Sequence, residues 1–200
     1  RHLKQRIDAD RHRPGRFLLT GSQKFSLMAG VAESLAGRSA VFELDPLGSR
    51  ELAEAGRLEP RAHAARLLRG GYPELWRQPA LTPGDFFTSY VATYLERDVR
   101  NLARVGSLRD FERFLRACAL RTGQLLNLSG LSRDLGIAQS TAREWLSVLE
   151  TSGTVTLLEP WSGNLGLRLV KSPKLYVNDT GLACFLLGLD TPEQLLRSPF

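Results

Sequence analysis

The stretch from Thr122 to Leu158 limits what this chain can fold into more than any other part of it. Leu128, Leu131 and Leu135 fall three and four residues apart, the spacing of one buried helical face, and Gly136 follows as a stop. Ile137 and the polar Ala138, Gln139 and Ser140 predict a tight turn. Ala142, Trp145, Leu146 and Leu149 then recur at i, i+3, i+4 and i+7, the signature of a second amphipathic helix. Gly153 ends it, because glycine enters the left-handed cap conformation at little cost. The β-branched run Thr154 to Leu158 predicts a strand, Ser162-Gly163-Asn164 a turn, and Leu165 to Lys171 the returning strand. Helix, turn, helix and β-ribbon in this order read as a winged helix-turn-helix.

Such a unit serves either as a DNA reader or as a packing module. The solvent face of its second helix offers Gln139, Ser140, Arg143, Glu144 and Ser147, and the ribbon offers Arg168 and Lys171. Gln139, Ser140, Arg143, Arg168 and Lys171 are therefore the candidate contacts to duplex DNA. Against that reading, Arg121, Arg133 and Arg143 are balanced by Asp134, Glu144 and Glu150. A groove reader neutralises several phosphates with Lys and Arg, and a neutral stretch supplies little of that attraction. A structural or protein-contact role is the competing reading.

The 200 residues, 42% of them hydrophobic, fit one large or two small globular domains. No run approaches the ~20 apolar residues of a membrane span, and the charged start does not resemble a signal peptide. Cys118 and Cys184 each sit among apolar residues, as buried thiols of a cytoplasmic protein do. His2, His12 and His63 lack ligand spacing, so no metal site is expected, and no serine or cysteine lies in a nucleophile motif. The net charge of +6 is concentrated at the start, where residues 1–16 hold six basic residues against Asp8 and Asp10. Either a nucleic-acid patch or the solvated face of a helix with Leu3 and Ile7 inward accounts for it.

Arg16 to Thr20 predicts a short apolar strand that runs into Gly21-Ser22-Gln23. A helix from Lys24 to Leu35 and a second strand, Ala40 to Leu44, complete a βαβ unit, expected to be parallel. The polar end of such a strand is where ligands sit in open α/β sheets. Pro46 to Leu52 reads as a short helical segment, Arg61 to Arg69 as a helix, and Gly70 to Glu74 as a tight loop. An aromatic-rich helix follows from Phe86 to Leu102, carrying Glu96, Arg97 and Asp98, then a helix capped by Ser107 with Asp110 three residues on.

Seven segments in one order, LLTGSQ, ESLAGR, FELDPL, GGYPE, TYLERDVRNL, RTGQLLNLSGLSRDLGIAQSTAREWLSVLE and SPKLYVNDTGLACFLLG, carry a resemblance to a known family. Together they resemble a widespread group of prokaryotic AAA-type ATPases. Its members carry a P-loop core, a helical lid, a winged helix and a C-terminal restriction-endonuclease-like domain of unknown function (the 4143 type). The resemblance implies an α/β then mainly α chain. Residues 1–58 would be the C-terminal part of the ATPase core, 59–120 the lid, 121–172 the winged helix and 173–200 the start of the nuclease-like domain.

The same resemblance implies roles for particular residues. Thr20 or Ser22, at the end of a sensor strand, would meet the γ-phosphate or attacking water; a plain strand terminus is the alternative. Arg38 would present a guanidinium to the phosphates, or be a surface arginine. Gly70, Gly71 and Pro73 would form a lid loop closing on nucleotide, or a simple turn between helices. Arg97 would anchor lid to core by a buried ion pair, and Asp179 would cap the helix that follows it. ATP and magnesium belong to the intact protein on this reading, with duplex DNA and a second copy of the chain as further partners. The sequence contains no G-x-x-x-x-G-K-[ST] motif, indeed no Gly-Lys pair. The chain is thus expected to be a piece of a longer cytoplasmic protein, inactive as an ATPase by itself.

Overall fold

The computed structural model describes residues 2–10, 13, 15–20, 35, 37–42, 44–52, 59–94, 107–161, 163 and 172–199. They fall into two compact units, Arg1–Leu44 and Asp45–Phe200.

In the first unit, α1 spans His2–Asp8 with Leu3 and Ile7 half-buried on one face. Leu35 is buried, and Gly37 takes a positive φ of 70° in the turn after it. The runs expected as strands are not strands among the described residues: 16–20, 40–42 and 44 carry no ladder hydrogen bonds. Their apolar side chains face solvent, with Leu18 and Phe42 each 90% exposed and Leu44 wholly exposed. A strand is defined by its partner, and these runs have none within the described chain. The helix expected from Lys24 lies outside the described residues, apart from Leu35.

The second unit begins with a turn rather than the expected helical segment at Pro46–Leu52. The Gly48 N–H bonds the Glu51 carboxylate, and the Leu47 N–H bonds the Gly71 carbonyl at 2.7 Å. Three helices follow, each entered through a proline at its first position, where the missing N–H costs nothing. These are α2 (Pro60–Arg69), α3 (Pro73–Arg77) and α4 (Pro83–Tyr94). The Glu96-Arg97-Asp98 run lies beyond the described residues. Helix α5 (Leu108–Ala119) begins as its sequence predicts, with the Ser107 hydroxyl accepting from the Asp110 N–H.

Helices α6 (Leu128–Leu135) and α7 (Gln139–Thr151) come next, joined through Gly136 at φ 70°. Trp145 of α7 meets Phe111 and Phe114 of α5 edge-on, at 5.4 and 5.6 Å between ring centres. That packing locks α7 across α5, and Leu131 of α6 fills the corner between them. Gly153, at φ 74°, turns the chain into β1 (Val155–Leu158).

The partner of β1 is β2 (Lys174–Val177), antiparallel, with Val155 opposite Val177 and Leu158 opposite Lys174. Leu125, between α5 and α6, adds a single antiparallel bridge to Lys174 on the other side of β2. The returning strand expected at Leu165–Lys171 lies outside the described residues.

This pairing crosses residue 172, where the sequence reading divides the chain. Among the described residues Lys174–Val177 forms the sheet with β1, and Leu175 and Val177 are buried in the same core as Val155. Helix α8 (Thr180–Leu186) then packs on α2, α4 and α5 through Leu182 and Leu186, and α9 (Pro192–Arg197) closes the unit against α2. One continuous core therefore runs from Leu75 and Phe87 to Leu186.

Candidate functional site

Because Ala142, Trp145, Leu146 and Leu149 are buried, the helical period forces Gln139, Arg143, Glu144 and Ser147 of α7 outward, and all four are exposed. Beneath them Asn127 caps α6, its side-chain oxygen accepting from the Gly130 N–H and the Ser129 hydroxyl, both at 2.9 Å. The start of α6, the first turns of α7 and the approach to β2 enclose an open groove of about 560 Å³. Leu125, Asn127, Ser129, Gln139, Arg143 and Pro173 are among its walls.

Charge around this groove is unevenly committed. Arg121 pairs with Asp134 at 2.5 Å, Arg116 with Glu112 at 2.9 Å, and Arg113 with Asp110 at 3.2 Å. Among the described residues, Arg143 makes no ion pair and lines the groove. Ser140 is exposed on the first turn of α7. Arg168 and Lys171 lie outside the described residues. Farther along, burial and the nearby Glu159 push the Glu150 carboxyl above its usual range.

The Gly70–Glu74 loop has a different character. Gly70 and Gly71 are buried, and Gly70 holds φ 72°, the region that favours glycine. The Gly71 N–H donates to the buried Asp179 carboxylate at 2.7 Å, and that carboxylate also accepts from the Leu182 N–H at 2.8 Å, capping α8. Asp179 is thus the N-cap its sequence predicts, with a second partner 108 residues away. A Cβ on Gly70 would come within 2.5 Å of the carboxylate, and one on Gly71 would strike the Leu47 carbonyl. Thr180 donates to the Leu67 carbonyl at 2.8 Å, and Trp76 donates to the Gly70 carbonyl at 2.9 Å. The Gly71 amide is held by Asp179, and Pro73 starts α3 at the exposed surface.

Burial raises the Asp179 carboxyl above the ordinary carboxylate range, against the opposing pull of the Gly71, Leu182 and Gly181 amides. Tyr72 is raised as well, first by burial and then by its hydroxyl partner Tyr90. Burial also pushes the Cys118 thiol up to about 12 and the Cys184 thiol to about 11, so both stay protonated and unreactive.

In the first unit Thr20 is exposed at the end of its unpaired run, and Ser22 lies outside the described residues. Arg38 bonds Asp8 of α1 at 2.6 Å, an intra-unit ion pair the sequence did not announce. Among the described residues no cluster of three His, Cys, Asp or Glu side chains could hold a metal ion. No described helix is long and apolar enough to cross a membrane.

Comparison with known proteins gives two family matches. Residues 61–193 match a domain of unknown function (DUF8612), and residues 1–53 match an AAA domain. The C-terminal match differs from the 4143-type family the motifs resemble, and it runs without a break through the boundary expected at residue 172. Uncharacterized proteins of Mycobacterium tuberculosis and Mycobacterium bovis are each 37% identical over 188 residues, which is 93% of this chain and 41% of theirs. The chain thus spans less than half the length of these relatives. No solved structure matches.

Proposed function

We propose, from the premise that the chain belongs to the family described as a domain of unknown function (DUF8612) and carries an AAA-type region at its N-terminal side, that it is part of an ATP-hydrolysing protein. It supplies some strands of a core sheet and a body built around a winged helix. The observation that carries the reading is the exposure of Leu18, Phe42 and Leu44 on runs with strand composition, within the stretch that matches an AAA domain. Apolar β-runs left bare belong against other strands, and a P-loop core would supply them. In such a sheet Thr20 and Ser22 would lie at the strand end beside the γ-phosphate. Arg38, released from Asp8, would meet the charge that develops on bond cleavage.

This chain lacks the phosphate-gripping Gly-Lys sequence, so the reading assigns turnover to the intact protein only. The test is ATP hydrolysis by the intact protein and its Arg38→Ala and Thr20→Ala variants. Both substitutions should lower kcat, by about a thousandfold for an arginine that stabilises the transition state. Full turnover in both variants would remove these residues from the reaction.

A second reading rests on Arg143, which makes no ion pair among the described residues and faces a groove beside Gln139 and Ser129. On this reading the unit binds duplex DNA through Gln139, Ser140 and Arg143, with Arg168 and Lys171 on the wing. Removing one phosphate-binding cation should reduce the salt slope of binding by about one. Arg143→Ala should do so, and a slope that this change leaves untouched would exclude α7 from the contact.

A further inference from the structure

Three turns of the second unit and helix α4, far apart in sequence, are joined by a closed ring of polar and aromatic contacts. Asp179 holds the Gly71 N–H at 2.7 Å. The next residue, Tyr72, packs its ring on Tyr90 of α4, their centres 5.1 Å apart. Tyr90 stacks on Tyr94 one helical turn later, 6.1 Å apart and only 3° from parallel. The Tyr94 hydroxyl meets Ser152 Oγ at 2.8 Å, at the end of α7, and Ser152 Oγ meets Thr154 Oγ1 at 3.0 Å. The Thr154 carbonyl accepts from the Asn178 N–H at 3.0 Å, and the Asn178 side-chain amide donates to the Gly153 carbonyl at 2.8 Å. Asn178 is covalently next to Asp179, and the ring closes.

Three features make this ring more than a set of separate contacts. Tyr94, Thr154 and Asp179 are each no more than 5% exposed, so water offers little substitute when a member moves. Ser152 is fully used, because it also donates to the Leu149 carbonyl at 3.0 Å, leaving its two lone pairs for Tyr94 and Thr154. Gly70 and Gly71 are packed closely, since the Asp179 carboxylate and the Leu47 carbonyl lie where a side chain would go. A displacement of the loop must therefore pull on Tyr72 and on Asp179 together, and both arms of the ring end at Ser152–Thr154.

We propose that this ring couples the Gly70–Tyr72 loop to the Ser152–Thr154 turn. A shift of the loop then moves the foot of α7, the helix that presents Arg143. Tyr72, Tyr90, Tyr94 and Asn178 are positioning residues on this account, and none touches a ligand. The coupling lies within the second unit and stands whether the protein serves ATP, DNA or neither.

Hydrogen exchange of the intact protein tests it. Asp179→Asn keeps the shape of the side chain but removes one of its two strong acceptor oxygens, loosening the loop. Exchange of the amides at 152–154 should then rise at least about fivefold, the lower end of a coupling between sites. Amides of α5 at 111–118 should not change. Adding Tyr94→Phe and Asn178→Ala removes the side-chain link of each arm and leaves only the bond of the residue-178 backbone N–H to the Thr154 carbonyl, so the response at 152–154 should shrink while that at 70–72 stays. If Asp179→Asn does not fold, Tyr72→Ala perturbs the same loop and is read in the same way. No rise at 152–154, a rise shared by α5, or a response that the added substitutions leave undiminished would each overturn the proposal.

Discussion

The two units of this chain use similar residues to opposite ends. Leu18, Val41, Phe42 and Leu44 in the first are as apolar as Leu75, Phe87, Phe114 and Leu182 in the second. The former lie in solvent and the latter are wholly buried, at 0–1% exposure. The difference is the source of the partner surface. Each helix of the second unit finds its partner within residues 45–200, whereas the extended runs of the first find none among the described residues. Burial, not hydrophobicity, is what stabilises a fold, at roughly 25 cal/mol per Å² removed from water.

The largest test of this contrast is a pair of substitutions. Phe114→Ala removes a fully buried ring that touches Trp145 and Phe111 and should destabilise the second unit by about 3–5 kcal/mol in chemical denaturation. Phe42→Ser, at a site 90% exposed, should change the stability of this chain by about 0.5 kcal/mol or less. A large loss from Phe42→Ser would show that the first unit buries its apolar runs after all.

Asp179 sharpens the comparison inside the second unit. Asp179→Ala leaves the Gly71 and Leu182 amides without their acceptor and should cost about 2–6 kcal/mol, at roughly 1–3 for each unsatisfied group. Asp179→Asn should cost less. The carboxyl holds its proton to a higher pH folded than unfolded, so its contribution is largest below the unfolded value and is lost as pH rises through the folded one. Urea midpoints of the wild type relative to Asp179→Asn should therefore improve as pH falls from about 7 towards 4, near the unfolded aspartate value. A difference that is flat or shrinks on acidification would mean that the carboxyl is not raised.

The smallest expected effect belongs to Arg38→Ala. Its bond to Asp8 joins two partly exposed side chains, at 23% and 37%, and screened pairs of this kind are worth about 0–1 kcal/mol. A thermal melt of this chain should barely move. A drop of several degrees would make Arg38 a structural residue and weaken its proposed role in hydrolysis.

What the sequence made legible follows the range of the forces involved. The caps at Ser107 and Asp179, the glycine stops at Gly136 and Gly153, and the buried stripe of α7 depend on neighbours a few residues away, and all could be read. The pairing of β1 with Lys174–Val177 could not, because strand pairing is set by a distant core and not by neighbours in sequence. The Gly70-Gly71 pair announced a close approach without saying to what. Asp179, more than a hundred residues away, supplied the answer. Arg168, Lys171, Ser22 and Arg97 belong to residues outside the described structure.

The most direct test of the account is amide exchange at Phe17–Thr20 and Ala40–Phe42, measured in the intact protein and in these 200 residues alone. The account predicts fast exchange in the 200 residues and strong protection in the intact protein, where core strands pair with both runs. Fast exchange in both would contradict it, because the AAA-type region would then lack the sheet on which the proposed chemistry depends.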